Sequence, residues 1–125
     1  MEQLFYVCKH CGNMVGMLFA SGVPMVCCGE NMAKLEPNTS DGSGEKHVPA
    51  VERKGNYLTV KVGSVEHPMI EKHYIMWVYV QTEKGGIRHI FKPNEKPEWT
   101  FCVDNDKPVA VFEYCNLHGL WKVTL

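Results

Sequence analysis

Hydrophobic and polar residues alternate along much of the chain after residue 45. Leu58, Val60 and Val62 fall on one face of an extended segment. Because successive side chains of a strand point to opposite sides of a sheet, this two-residue period predicts half-buried β-strands and argues against helices. A second segment alternates in the same way and places four residues on one predicted face: Tyr74, Met76, Val78 and Val80.

Turn-forming residues divide the C-terminal part of the chain into seven such segments. Examples of these separators are Lys84-Gly85-Gly86, which contains two glycines, and Asp104-Asn105-Asp106, which consists of polar residues that favour turns. Seven short strands predict an antiparallel β-sandwich, so the fold class is all-β. The predicted strands cover residues 48–53, 58–62, 74–80, 87–91, 98–103, 109–114 and 120–124.

The N-terminal part of the chain predicts a separate small domain. Short strands are expected over 4–7, 13–19 and 25–27, with no helix, and the polar stretch from Asn38 to Gly44 is typical of a linker. We therefore expect a small domain over 1–37, a linker over 38–44 and a larger domain over 45–125. So small a domain needs a metal, disulfides or a partner subunit, because its core is too thin to offset chain entropy.

Composition and charge narrow the possible partners. The 125 residues carry 13 Lys plus Arg against 14 Asp plus Glu, a formal net charge of -1, so no general basic field attracts nucleic acid or an anionic membrane. No apolar run is long enough to span a bilayer, and the N-terminus does not read as a secretory signal. We therefore expect a cytoplasmic protein whose six cysteines stay reduced, which favours metal binding over disulfides.

Four cysteines predict one metal site in the small domain. Cys8 and Cys11 form a CxxC turn, which brings two sulfur atoms to one point, whereas Cys27 and Cys28 are adjacent. Both members of the second pair can bind one ion only if the backbone bends sharply, which Gly29 permits, and the tetrahedron should be distorted. Four thiolates suit zinc and iron equally, and His10 is expected to be an exposed loop residue.

A second set of metal-binding residues lies in the larger domain, at strand ends and in loops that cluster in a sandwich. Four imidazoles and one thiol, without carboxylates, favour iron or copper over structural zinc, magnesium or calcium. His89 and Cys102 lack partners in the sequence and are expected to be cross-strand and core residues. The candidate ligands are His47, His67, His73, Cys115 and His118.

Two other functions compete at this point. A blue-copper electron carrier also uses a cysteine and a histidine close together, but it needs a single upstream histidine and usually an axial methionine, and no methionine follows His118. A zinc-stabilised binding module would leave five potential ligands without a role.

These motifs together resemble the desulfoferrodoxin family. Residues 1–36 are similar to desulforedoxin domains, with their CxxC and Cys-Cys-Gly, and the remainder is similar to neelaredoxin-type domains. The resemblance covers nearly the whole chain, and no ligand position of the family is missing. It rests on the four-cysteine pattern, Glu45-Lys46-His47-Val48-Pro49, His67-Pro68-Met69, His73-Tyr74 and Cys115-Asn116-Leu117-His118-Gly119.

The resemblance implies a superoxide reductase with two irons per chain. The small domain would hold a ferric four-thiolate centre. An immunoglobulin-like sandwich would hold a second iron, with the four histidines in a plane, Cys115 axial and the sixth position open to superoxide. Lys46 would lie near the open position, and Glu45 would be able to occupy it in the oxidised state. The resemblance also implies a homodimer and a rubredoxin-like electron donor.

Overall fold

The computed structural model describes residues 2–40 and 42–125, and its regular structure consists of β-strands with one helical turn. This confirms the predicted all-β class. The chain divides into two compact units, of which the first ends at Glu36 and the second begins at Pro37. Among the described residues, no helix has the length and apolar character needed to cross a membrane.

The small unit consists of a three-stranded antiparallel sheet and a short hairpin. Its strands are β1 (Phe5–Val7), β2 (Met14–Gly16), β3 (Val26–Cys27), β4 (Glu30–Asn31) and β5 (Ala33–Lys34). The sheet has the order β2-β1-β5, and β3 pairs with β4. The sequence did not predict β4 and β5, because strands of two residues are too short to show alternation. Among the described residues of this unit, the buried apolar ones are Phe5 and Cys8.

The second unit contains one helical turn and the seven predicted strands. Its elements are α1 (Gly44–His47), β6 (Pro49–Lys54), β7 (Tyr57–Val62), β8 (Ile75–Thr82), β9 (Gly85–Ile90), β10 (Glu98–Cys102), β11 (Pro108–Cys115) and β12 (Gly119–Thr124). The strands form two antiparallel sheets, with the orders β10-β7-β6 and β12-β11-β8-β9.

The core of the second unit joins its two sheets. Leu58, Val60 and Val62 of β7 are all buried, as their spacing predicts, and they belong to the same apolar cluster as Val78 and Val80 of β8. Cys115, at the end of β11, is part of this cluster as well. The packed interior therefore extends to the strand end that carries a candidate ligand.

A β-bulge changes the inward face of β8. Tyr114 pairs with Trp77, but its neighbour Cys115 pairs with Ile75, so Met76 is an extra residue on β8. Ile75 is buried as a result, while Met76 is only partly buried. The prediction that Tyr74 and Met76 share the face of Val78 and Val80 was therefore wrong at this end of the strand, because one inserted residue reverses a two-residue alternation.

The segment predicted as a linker, 38–44, falls within the second unit; its Asp41 lies outside the described residues. The Asn38 amide donates to the Leu120 carbonyl at 3.0 Å, and its side chain both donates to and accepts from the backbone of Lys122. The Ser40 hydroxyl donates to the carbonyl of His118. Residues that lack apolar anchors thus reach the 115–118 turn through hydrogen bonds.

Candidate metal centres

The Cys8–Cys11 turn presents two sulfur atoms in the small unit. The Gly12 amide donates to the Cys8 carbonyl at 2.9 Å, and the Cys11 amide lies 3.5 Å from the Cys8 sulfur. Because a backbone amide stabilises a thiolate, the amides of Cys11 and His10, that of Cys11 first, lower the pKa of Cys8 to about 6. One member of the cluster is thus anionic near neutral pH.

A tight hairpin turn allows the two adjacent cysteines to serve one site. The loop between β3 and β4 consists of Cys28 and Gly29, whose φ angles are 54° and 74°. Positive φ at both central residues is the signature of a type I′ turn. The sequence predicted the bend from Gly29 alone, whereas Cys28 itself also takes the left-handed conformation.

The four sulfur atoms have the spacing of a metal site. All lie within 4.8 Å of one another, and those of Cys11 and Cys27 are 3.6 Å apart. An ion about 2.3 Å from each of four tetrahedral ligands would place the sulfurs roughly 3.8 Å apart. Hydrogen bonds with the neighbouring sulfur atoms, that of Cys11 first, raise the pKa of Cys28 to about 12, because they favour its protonated form. The cluster therefore fits one thiolate-bound ion, zinc or iron.

The second candidate site gathers residues from four segments. His47 ends α1, His67 and His73 lie in the connection between β7 and β8, Cys115 ends β11, and His118 lies in the turn before β12. One donor atom from each of these five residues lies within 4.8 Å of the others. The structure thus brings together every predicted member of this set.

The four imidazole rings stand at the corners of a near-square. Neighbouring ring centroids are 4.6 Å (His47 to His67), 4.6 Å (His67 to His73), 5.0 Å (His73 to His118) and 4.8 Å (His118 to His47) apart, and each ring is turned 75–88° from the next. The diagonal from His47 to His73 is 6.5 Å. The ratio of this diagonal to the sides is close to the ratio of diagonal to side in a square. A tetrahedral set would make these separations equal.

Individual nitrogen atoms agree with this arrangement. The Nε2 atom of His47 lies 3.0 Å from Nε2 of His67 and 3.0 Å from Nδ1 of His118. Nitrogens about 2.1 Å from one ion and at right angles to each other would be roughly 3.0 Å apart, against about 3.4 Å in a tetrahedron. The spacing favours an ion within a planar set of nitrogens.

The protonation states of His47 and His67 leave a place for a cation. Their Nδ1–H groups donate to the carbonyls of Ser43 and Pro68, each at 2.7 Å, so both facing Nε2 atoms carry lone pairs. Burial is the main reason why the pKa of each ring is lowered, and it brings the pKa of His67 to about 4. At neutral pH neither Nε2 atom therefore gains a proton, and the two lone pairs repel each other. A metal ion bound between them would remove this repulsion.

His73 and Cys115 supply two further buried donors. The buried Nε2 atom of His73 has no hydrogen-bond partner among the described residues, an arrangement that is costly unless an ion binds it. Burial raises the pKa of the fully buried Cys115 thiol, while hydrogen bonds from the amides of Leu117 and His118 lower it. The sequence anticipated that this turn would direct amides at the sulfur, and binding of an ion would complete its deprotonation.

Two residues near the site, Trp121 and Glu113, were missed by the sequence reasoning. The Trp121 ring stacks on His47 at 4.9 Å and 24°, and its Nε1–H donates to the His118 carbonyl at 3.1 Å. Glu113 is fully buried on the strand that ends in Cys115, and its oxygens lack partners among the described residues. The sequence offers one signal for Glu113: it lies two residues before the candidate ligand Cys115 and so on the same inward face of the strand. It offers no such signal for Trp121.

Glu45 and Lys46 lie in α1, directly before His47. The Glu45 side chain is exposed, and its carbonyl accepts hydrogen bonds from the Val65 amide (2.9 Å) and the Ser64 hydroxyl (3.1 Å). Lys46 is partly buried, and its positive charge contributes to the lowered pKa of both His47 and His73. The field of Lys46 therefore reaches two corners of the near-square.

The remaining cysteine and histidines lie outside both clusters. His10 is exposed, as expected, and pairs with Glu30. His89 stacks on Trp99, with ring centroids 3.6 Å apart, and so is a packing residue between strands. Cys102, expected in the core, is exposed because the inward positions at the end of β10 are those of Phe101 and Val103.

Comparison with known proteins finds relatives that match most or nearly all of the chain. The desulfoferrodoxin family model matches residues 39–124. A desulfoferrodoxin of Nitratidesulfovibrio vulgaris is 50% identical over 94% of this chain and 92% of its own. A superoxide reductase of Pyrococcus horikoshii is 30% identical over 73% of this chain and 95% of its own. The crystal structure of the superoxide reductase from Treponema pallidum matches with a TM-score of 0.84, at 36% identity over 99% of this chain and 100% of that one.

Proposed function

Because the chain belongs to the desulfoferrodoxin family, we propose that it is a superoxide reductase, an oxidoreductase with an iron centre held by four histidines and one cysteine. In this reaction superoxide takes up one electron and two protons and leaves as hydrogen peroxide, without release of oxygen. The protein would thereby protect an anaerobic or microaerophilic cell against oxygen.

The near-square of four imidazoles beside a buried thiol is the observation that carries this proposal. A blue-copper site would use fewer histidines, and a closed structural zinc site would use four ligands in a tetrahedron. Four nitrogens in a plane and one sulfur suit iron and leave one position for a small ligand. By the family resemblance, Cys115 would be the fifth residue that holds the iron, and superoxide would take the remaining position.

Bound ferrous iron would supply the electron that superoxide accepts. Residues around the site orient the ligand atoms and adjust their electron density for that step. The carbonyls of Ser43 and Pro68 fix the tautomers of His47 and His67, so that both rings present a lone pair. The amides of Leu117 and His118 donate to the Cys115 sulfur and limit how much electron density it gives up.

Lys46 would attract the substrate. Superoxide is an anion, and the positive charge of Lys46 is felt at two corners of the ligand square. Electrostatic steering of this kind raises association rates by about tenfold to a thousandfold at low ionic strength. We assign to the exposed Glu45, from the family resemblance, the ability to occupy the vacant position in the oxidised state.

We assign the small unit a second iron, bound by Cys8, Cys11, Cys27 and Cys28, with zinc as the alternative that metal counting would distinguish. Reduced thiols are needed for such a site, which supports a cytoplasmic location. We further propose a homodimer. The small unit exposes a run of large apolar residues that a second copy could cover: Leu18 (100% exposed), Phe19 (77%), Val23 (74%) and Val26 (65%).

The stoichiometry of the reaction tests the proposed activity. The iron-loaded protein, reduced in advance and mixed with a known amount of superoxide, should yield one hydrogen peroxide for each superoxide consumed and no oxygen. A dismutase would yield half as much peroxide, together with oxygen. That second result, or no reaction beyond spontaneous decay, would contradict the assignment.

A further inference from the structure

The indole of Trp121 contacts two neighbouring members of the ligand square. Its ring stacks on His47, with the ring centroids 4.9 Å apart and the planes inclined by 24°, and its Nε1–H donates to the His118 carbonyl at 3.1 Å. Trp121 is only 6% exposed, so both contacts lie in the protein interior. One buried side chain therefore connects two corners of the square.

The register of β11 and β12 explains why the indole reaches the site. Cys115 is paired with Gly119, and Glu113 is paired with Trp121. Paired residues lie on the same face of a sheet, and residues two apart along a strand share a face, so Trp121 lies on the face that carries Cys115. Strand pairing thus places the backbone of Trp121 beside the turn that supplies two of the candidate ligands.

The indole limits the tilt of the His47 ring. The Nδ1–H group of His47 donates to the Ser43 carbonyl at 2.7 Å, which holds one edge of the ring but allows the ring to tilt about that bond. Trp121 packs against a face of the same ring, and a tilt towards the indole would press the two rings together. Because His47 presents Nε2, the ring nitrogen further from the main chain, a tilt of the ring displaces the donor atom directly.

The same indole holds His118 by its main chain. Nδ1 of His118 lies 3.0 Å from Nε2 of His47, so His118 presents to the site the ring nitrogen that is nearer to its own backbone. The position of this nitrogen therefore follows the position of the backbone closely. The His118 carbonyl accepts hydrogen bonds from the Trp121 indole and the Ser40 hydroxyl, and both bonds fix that backbone.

We propose that Trp121 is a positioning residue, which holds Nε2 of His47 and Nδ1 of His118 at the spacing that one ion requires. This inference rests on the proposed function, because it needs an iron bound by the four histidines. Trp121 acts only through these two ligands, by the face of one ring and by the backbone of the other. Contacts that orient ligands without binding the metal typically change metal affinity or activity by about tenfold to a hundredfold.

Two substitutions in the full-length, iron-loaded protein test this proposal. Trp121→Leu removes both the stacked ring and the N–H donor, whereas Trp121→Phe keeps an aromatic ring against His47 and loses only the donor. Iron release to excess EDTA is followed by the decay of the sulfur-to-iron band of the oxidised catalytic centre. Trp121→Leu should release this iron at least tenfold faster than the wild type, and Trp121→Phe about threefold faster.

The EPR spectrum of the oxidised centre separates positioning from a general loss of stability. The splitting of a ferric signal reports the symmetry of its ligands, so displacement of His47 and His118 should shift the signal of the molecules that retain iron. Lower folding stability alone would reduce the amount of signal and leave its shape unchanged. An unchanged shape in Trp121→Leu, or equal release rates for Trp121→Leu and Trp121→Phe, would overturn the proposal. If Trp121→Leu does not fold, Trp121→Phe decides, and wild-type release and signal shape in that variant would overturn the proposal.

Trp99→Leu is the matched control. Trp99 also stacks on a histidine, since its ring centroid lies 3.6 Å from that of His89 with the planes inclined by 8°, but His89 is outside both candidate metal sites. This variant loses a contact of the same kind without touching a ligand. It should release iron at the wild-type rate and keep the wild-type EPR signal. Equal acceleration of release by Trp99→Leu and Trp121→Leu would overturn the proposal.

Pulse radiolysis with superoxide separates this proposal from the proposed function. If the iron-loaded wild-type protein does not reduce superoxide, the proposed function fails, whereas the release rates and EPR spectra still decide the role of Trp121. If the wild-type protein reduces superoxide and both Trp121 variants match it in iron release and signal shape, only the positioning role fails.

Discussion

Replacing Gly63 by alanine should displace the helical turn that carries His47. Gly63 follows β7, and a Cβ atom built on it would lie 2.6 Å from the Glu45 carbonyl oxygen, 2.9 Å from the Lys46 carbonyl carbon and 3.0 Å from the Val48 carbonyl oxygen. All three are backbone atoms, so no side-chain rotation relieves the contact. Recovering an ordinary separation requires α1 to retreat by about 0.8 Å.

The displacement should impair both folding and reaction. Overpacking of this kind costs about 1–3 kcal/mol of stability. His47 moves with α1, and its nitrogen is 3.0 Å from two other members of the square. Because a displacement near 1 Å can lower an enzymatic rate by about a hundredfold, we expect Gly63→Ala to slow the superoxide reaction at least tenfold and to lower iron occupancy. Pulse radiolysis, metal counting and thermal unfolding measure these effects.

Gly44→Ala is the matched control within the same turn. A Cβ atom at Gly44 meets nothing within 4 Å, and alanine favours helix over glycine by about 1 kcal/mol. This variant should retain iron and wild-type rates. The reasoning is refuted if Gly63→Ala matches Gly44→Ala in iron content and rate, since α1 would then not be held against Gly63.

Four further predictions concern the charges and ligands. Lys46→Ala should slow the reaction with superoxide and flatten its ionic-strength dependence while iron stays bound; an unchanged salt dependence would reject its steering role. Cys115→Ser should abolish the sulfur-to-iron absorption band of the oxidised catalytic centre, and survival of that band would exclude Cys115 as a ligand. Cys28→Ser should remove metal from the small unit and leave the iron of the second unit in place, whereas joint loss of both metals would contradict the independence of the two sites. Burial lowers the pKa of His67 to about 4, below its unfolded value near 6.5. Without metal, the unfolded protein therefore binds more protons than the folded protein between about pH 4 and pH 6.5. Denaturant titrations should therefore show the metal-free protein losing stability as pH falls from about 6.5 to 4, with a smaller loss in His67→Gln.

The strands were predictable because burial on one face leaves a two-residue period in the sequence. The alternation at Leu58, Val60 and Val62 reports the core directly. The turn α1 was not predictable, since four residues are too few to show a helical period. The bulge at Met76 was missed for a related reason, because one inserted residue leaves the composition of a strand unchanged while reversing its faces.

The candidate ligands were predictable from residue type and family resemblance, but their supporting contacts were not. The groups that fix His47 and His67 are backbone carbonyls of Ser43 and Pro68, which every residue possesses. The bonding of residues 38–40 to residues 118–122 likewise depends on hydrogen bonds that a polar sequence does not specify. Stacking of Trp121 on His47 depends on the register of β12 and on the position of α1, neither of which a single sequence reveals.

A crystal structure of the reduced protein, with iron located by its anomalous scattering, tests the central claim most directly. The account predicts an iron in the second unit within bonding distance of His47, His67, His73, His118 and Cys115, with no protein group in the sixth position. An ion bound by only some of these residues, or a sixth protein ligand in the reduced state, would contradict it, because superoxide would then have no position at which to react.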